Sequence, residues 1–275
     1  MSDSGRISPT AHYTGYVWAR NGLSHPELSS LEGRALFETL RPVLILSRTL
    51  GGASLEHYLL ARHLAIDKLL GQAIEDHGIT QVIEVACGLS PRGWRFSERY
   101  GDRITYVEAD LPEMAERKRR ALERMGSLGE HHRVEKVDAL RDDGPGSISA
   151  LAAELRTEGG LAIITEGLLG YLPGDQVENL FRRFALVLGL FSQGRYISDL
   201  HIGDVQTPQV RAFRVLLSAF VRGRVFLHWG SAAQARDALR AAGFSSAAVH
   251  RAATLAPEAR GAGAGLAHII EASTA

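Results

Sequence analysis

Arg62 lies in the segment LLARHLAID (59–67), on the same helical face as Leu59 and Ile66, the face that should turn inward. An inward arginine needs an anion. Two readings follow: an internal salt bridge, with Glu84 as a candidate partner, or a bidentate clamp on the carboxylate of a bound amino acid. The acids that matter fall where apolar runs end. Glu84 is inside the run Thr80–Ala86, Glu108 and Asp110 close the run from Ile104, Asp138 follows a third run, and Glu166 stands in ITEGLLGYLP (163–173 with its flank). Burying Glu84 unpaired would cost several kcal/mol, so it requires a donor or a cation nearby. Asp110 lies nearer the carboxyl edge than Glu108 and suits a ribose diol or an adenosine contact. Asp138 suits an adenine edge or a turn cap; Glu166 suits an ammonium group, a substrate pocket, or a helix entry facing water. Asp199 and His201 (ISDLH) point the same way, and His201 reads as a general base, a substrate donor or a satisfied loop histidine.

These residues need a sheet to hold them. The stretch Ile79–Glu113 reads as strand, small-residue turn (Ala86, Cys87, Gly88), helix opened by Ser90-Pro91, and strand with a terminal carboxylate. That is the first half of a nucleotide-binding α/β unit, in which a close backbone approach serves an adenosine ligand. The turn lacks the glycines of a G-x-G-x-x-G fingerprint, and spacing alone leaves nicotinamide dinucleotide and S-adenosylmethionine both open. S-adenosylmethionine carries a free amino-acid carboxylate for Arg62; NAD does not.

Strands are expected near 80–86, 104–109, 133–137, 161–165 and 195–200, with helices near 91–100, 112–125, 147–158 and 174–188. The alternation predicts a parallel, doubly wound sheet. Beyond it come an inserted helix near 206–221, a helix capped by Ser231 with Gln234 and ending at Gly243, and two strands near 246–251 and 266–271 joined by a hairpin-like GAGAG turn (261–265). Residues 11–75 read as helical, broken at Pro42 and at Gly51-Gly52. The expected organisation is a helical cap over 1–75, integrated with a core over 76–275 that carries an insertion at about 203–230.

Charge is balanced, 31 basic against 31 acidic residues, which leaves no electrostatic footprint for nucleic acid or an anionic membrane. One cysteine, Cys87, rules out an internal disulfide framework and fits a reducing compartment. The opening MSDSGRISPT lacks an apolar signal region, no run is long enough to span a membrane, and the expected address is the cytoplasm. Cys87 itself, without an evident base, reads as a small buried residue. His25 and His131-His132 lack metal-ligand spacing, and no metal is expected. Arg211, Arg214, Arg222 and Arg224 either solvate one helical face or draw an acidic substrate to the mouth of the site.

Together LLARHLAID (59–67), VIEVACGLSPRGW (82–94), YVEADLPEM (106–114), VDALRD (137–142) and TEGLLGYLP (165–173) resemble the leucine carboxyl methyltransferase family. Within it the likeness is to the bacterial O-methyltransferases of polyketide and other small-molecule (secondary) metabolism, over roughly residues 11–203. The resemblance implies a class I S-adenosylmethionine-dependent methyltransferase fold: Rossmann-like, α/β, a seven-stranded sheet with its last strand antiparallel, and an N-terminal helical cap. It implies S-adenosyl-L-methionine as cofactor, with Arg62 on its carboxylate, Gly88 in its turn, Asp110 on its ribose, Asp138-Ala139 on its adenine, and Glu166 as the glutamate after the fourth strand. Glu84 and Glu108 complete the expected cofactor-binding set. The departure is in the turn, where the family often has a further glycine and this chain has Ala86-Cys87.

The implied reaction is in-line transfer of a methyl group to a small-molecule oxygen nucleophile. A carboxylate acceptor is already ionised at pH 7 and needs no base, only groups to hold it: Arg20, Tyr16, His201 and Tyr171 are the candidates. A phenol or alcohol acceptor profits from a base, for which His201 is best placed. The rivals are a nicotinamide oxidoreductase and a non-catalytic S-adenosylmethionine-binding protein. Partners are expected to be limited to the small-molecule acceptor, with homo-oligomerisation left open.

Overall fold

The computed structural model describes residues 9–49, 53–203, 226–259, 261 and 263–274. The helix expected near 206–221 and the four arginines of 211–224 lie outside the described residues.

Three helices precede the sheet: α1 (Pro9–Arg20), α2 (Leu31–Thr49) and α3 (Leu55–Asp76). Helix α2 runs through Pro42 instead of stopping there. Helix α3 starts at Ser54, whose hydroxyl accepts the His57 amide. Then come β1 (Ile79–Val85), α4 (Arg92–Tyr100), β2 (Thr105–Asp110), α5 (Pro112–Met125), β3 (His132–Lys136), α6 (Ile148–Ala152), β4 (Gly160–Thr165), α7 (Gly174–Leu188) and β5 (Gln193–Leu200). The chain closes with α8 (Ala232–Ala241), β6 (Ser246–Arg251), the single turn α9 (Ala252–Leu255) and β7 (His268–Ser273).

The sheet order is β3-β2-β1-β4-β5-β7-β6. Strands β1 to β5 pair in parallel, while β7 runs antiparallel to both β5 and β6. The central parallel strands are buried nearly throughout, as β4 shows with all six residues buried, because helices cover both faces, whereas the edge strand β3 buries only two of its five. Alternation along β1 separates two cores. Val82 packs with Tyr13, Leu59 and Ile66 under α1 and α3, and Ile83 packs with Phe181, Phe184 and Leu239 under α7 and α8.

Three further local expectations change. Helix α6 is five residues, not twelve; Ser147 caps it by accepting the Ala150 amide. The β6–β7 connection is no tight hairpin: α9 and a 3-10 turn at Ala264–Leu266 intervene, and Gly261 and Gly263 press against His57 and Ser54 so closely that a Cβ would lie 2.1 and 2.5 Å from their atoms. The cap of α8 is half as expected, since Ser231 takes the Gln234 amide but Gln234 reaches back to the Gly230 amide.

Candidate functional site

The order of the sheet reverses at β1 and β4, and crevices open outside the carboxyl ends of strands at such a switch point. The turn after β1 is tied to the end of β2 there. The Cys87 amide donates to the Ala109 carbonyl at 3.2 Å and the Gly88 amide to the Asp110 carboxylate at 2.7 Å. Gly88 has φ +53°, which glycine adopts freely; Ala86 also has φ +53°, which an alanine adopts only at a cost. Where a further glycine is usual, this chain holds an alanine in the left-handed region. Asp110 accepts a second bond from the Leu111 amide, and burial pushes its carboxyl up despite both donors.

Across the switch point stands Arg62. Its Nε donates to Glu166 at 2.9 Å and its Nη1 to Asp199 at 3.2 Å. Asp199 also accepts the Gly167 amide at 2.7 Å. Gly167 takes φ +72° and lies over the guanidinium, with its would-be Cβ 3.1 Å from Nη2. Arg62 therefore has acidic partners as one reading required, but they are Glu166 and Asp199 rather than Glu84.

The cation of Glu84 is Arg92, a fully buried side chain that the sequence reading did not single out. Its Nη1 meets Glu84 at 2.5 Å, its Nε meets Asp67 at 2.6 Å, and its Nη2 meets Glu166 at 2.7 Å. Tyr106 donates to the other oxygen of Glu84 at 2.8 Å. His63, packed against Trp18 with centroids 4.6 Å apart and the rings tilted by 40°, adds Nδ1 to Glu166 at 2.8 Å. Burial alone would raise the Glu166 carboxyl; the adjoining His63, Arg92 and Arg62 outweigh it and hold the group far below the usual carboxylate range. Both oxygens of Glu166 thus have partners inside the protein, and the side chain does not face water as a helix-entry residue would.

Two other expected cofactor residues are likewise internal. Glu84 is spoken for by Arg92 and Tyr106. Glu108 is sealed, paired with Lys118 and with His132 Nε2 at 2.8 Å. Lys118 also donates to the Ser90 carbonyl, and Gly93 leaves room for Glu108, since a Cβ there would sit 2.3 Å from Oε1. Asp138 caps its own turn by accepting the Leu140 amide at 2.9 Å, with half-buried Ala139 beside it.

The four expected acceptor-holding residues divide. His201 Nε2 meets the Tyr58 hydroxyl at 2.9 Å. Burial pushes its imidazole down to about 4; Asp199 opposes the shift, while Arg62, His228 and His268 add to it. Tyr171 is half exposed, its hydroxyl 2.9 Å from Thr10 Oγ1 on α1. Arg20 and Tyr16 gather instead on Phe37 of α2, the guanidinium 4.9 Å and the tyrosine ring 5.3 Å from its centroid, and Arg20 lies 3.6 Å from Glu56. The chain returning at 226–229 was not anticipated. Phe226 donates its amide to Gly170 at 2.9 Å, and His228 Nε2 lies 3.0 Å from the Leu169 carbonyl. Among the described residues no group of three or more His, Cys, Asp and Glu could hold a metal ion, and no helix is long and apolar enough to cross a membrane.

Known proteins share this architecture. A methyltransferase of Thermobifida fusca YX, provisionally assigned as such, superposes with a TM-score of 0.68 at 12% identity, covering 98% of this chain and 96% of that one. Human N-acetylserotonin methyltransferase, solved with S-adenosylmethionine, gives 0.52 at 13% identity over 96% of this chain and 64% of its own. Such likenesses concern the fold, which is that of class I methyltransferases. In sequence, a Mycobacterium bovis (BCG / Pasteur 1173P2) protein provisionally named an S-adenosyl-L-methionine-dependent methyltransferase is 32% identical over 167 residues, 61% of this chain and 48% of that protein. The chain spans a third to a half of the length of the curated relatives it matches. The family model for leucine carboxyl methyltransferase matches residues 44–185, just over half of the 275. The chain belongs to the leucine carboxyl methyltransferase family.

Proposed function

We propose that the protein is an S-adenosylmethionine-dependent O-methyltransferase that esterifies a small-molecule carboxylic acid. The cofactor part of this reading is supported by the crevice itself. Among the described residues Arg62 Nη2 has no carboxylate partner and is available to an incoming carboxylate, the Gly88 amide and Asp110 are bonded to each other after β1 and β2 and suit a ribose, and Asp138-Ala139 suit an adenine edge. Four carboxylates, Asp67, Glu84, Glu166 and Asp199, share Arg62 and Arg92, with Arg95 joining at Asp67 and His63 at Glu166, so both arginines are held in a network of internal partners. The cofactor supplies an electrophilic methyl on a sulfonium, so the chain's own task is alignment and exclusion of water.

The single observation that carries the choice of acceptor is the state of His201. An imidazole pushed down to about 4 and already bonded to Tyr58 is a weak base, a poor match for a phenol whose proton leaves near pH ~10. A carboxylate needs no base. His201, braced by the buried Tyr58, and Tyr171 then serve as hydrogen-bonding groups for the acceptor, and Arg20 and Tyr16 act only where the cap brings them to it. Labelled methyl transfer to a panel of paired acids and phenols tests this. Acids should turn over, and His201→Gln should slow them only modestly; a preference for phenols with a ~10²–10⁴-fold loss in His201→Gln would reverse the assignment. Binding of the labelled donor with no turnover of any acceptor would favour a non-catalytic binding protein.

A further inference from the structure

We propose that Arg92 is a positioning residue for recognition of the ligand's carboxylate, acting through Glu166 on Arg62. The proposal rests on the cofactor reading above. Arg92 never reaches the crevice: its side chain is wholly buried, and its three nitrogens bind acids from three elements, Asp67 on α3, Glu84 on β1 and Glu166 after β4. Glu84 has Tyr106 as well, so a cation for Glu84 alone would not need the third arm. That arm takes Oε2 of Glu166, whose Oε1 takes Nε of Arg62, making a continuous chain Arg92–Glu166–Arg62. The Glu166 side chain is 4% exposed with both oxygens in charge-assisted bonds, which fixes its rotamer and, through it, the plane of the Arg62 fork. Asp199, itself held by the Gly167 amide, takes Nη1 of that fork. A planar guanidinium holding three acids cannot be replaced by a point charge: a lysine at 92 would reach one of them but not span all three.

The test uses two ligands measured by calorimetry well below the unfolding temperature. S-adenosylhomocysteine carries the amino-acid tail; methylthioadenosine has the same nucleoside without it. Arg92→Lys should raise the Kd for S-adenosylhomocysteine by ~10-fold and leave that for methylthioadenosine within about twofold. In an Arg62→Ala background, Arg92→Lys should have no further effect on S-adenosylhomocysteine. Where Arg92→Lys does not fold, Glu84→Gln loosens Arg92 from its other end and should show the same tail-selective loss at a few-fold. Equal weakening of both ligands, an additive loss in the double variant, or no loss would overturn the positioning role while the cofactor reading stands. A wild-type protein that binds neither ligand would remove both.

Discussion

Glu84 and Glu108 stand side by side in register on β1 and β2, both buried, yet they belong to networks of opposite character. Glu108 ends in a closed clamp of Lys118 and His132, capped by the Ser90 carbonyl and the bare face of Gly93. Glu84 opens a chain that runs through Arg92 to Glu166, Arg62 and Asp199 and so to the rim of the crevice. The difference shows that burying an acid says little about its role. What counts is where its cation leads: back into the core, or outward to a place a ligand can reach.

The sharpest way to break this comparison is to remove the two cations in parallel. Arg92→Met leaves Asp67, Glu84 and Glu166 short of their shared partner and should cost about 3–5 kcal/mol, a fall in Tm of roughly 10 °C or more, together with affinity for S-adenosylhomocysteine. Lys118→Met should cost a similar ~3 kcal/mol through stranded Glu108 and leave affinity in the folded protein unchanged. Equal loss of affinity in both would erase the distinction between the networks. Next in size is Gly93→Ala, whose new methyl would collide with Glu108; denaturant melts should show a loss of about 1–3 kcal/mol.

Acid acts on both regions. Between about pH 6.5 and 4 the unfolded chain protonates His201 while the folded protein, holding it at about 4, does not, so stability should decline as pH falls through that window. Asp67, Glu108 and Glu166 are held below their ordinary values, each by cations that overcome burial. Their contribution is present above about pH 4.3 and drains away as pH drops further. His201→Gln should flatten the upper slope and spare the lower one, as followed by chemical denaturation at stepped pH. The smallest effect belongs to the crevice turn. Ala86→Gly relieves a left-handed alanine, and the gain of roughly 1 kcal/mol is offset in part by the added entropy of the unfolded chain. A thermal melt within a few degrees of the parent, on the stabilised side, is expected; a clear loss would mean that the methyl packs usefully.

The sheet was legible because period-2 and 3.6-period patterns report burial directly: all five parallel strands fall where alternation put them, within two residues. The inward arginine was legible too, from the face shared by Leu59, Arg62 and Ile66. The demand of Glu84 for a cation was legible, but its supplier was not. Arg92 opens α4, where the helix dipole disfavours a cation, and that misplacement was the available signal of a partner below. Lys118 offered the same kind of signal, lying on the inward stripe of Met114, Ala115, Ala121 and Leu122. The docking of Phe226 on Gly170 depends on a tertiary contact that no local period encodes.

The lone cysteine has a practical use. Cys87 is sealed in the turn between Ala86 and Gly88, and burial pushes its thiol well above the ordinary range. An alkylating reagent can reach it only when that turn opens, so the labelling rate is a built-in clock for local unfolding at the crevice, free of background from any other thiol.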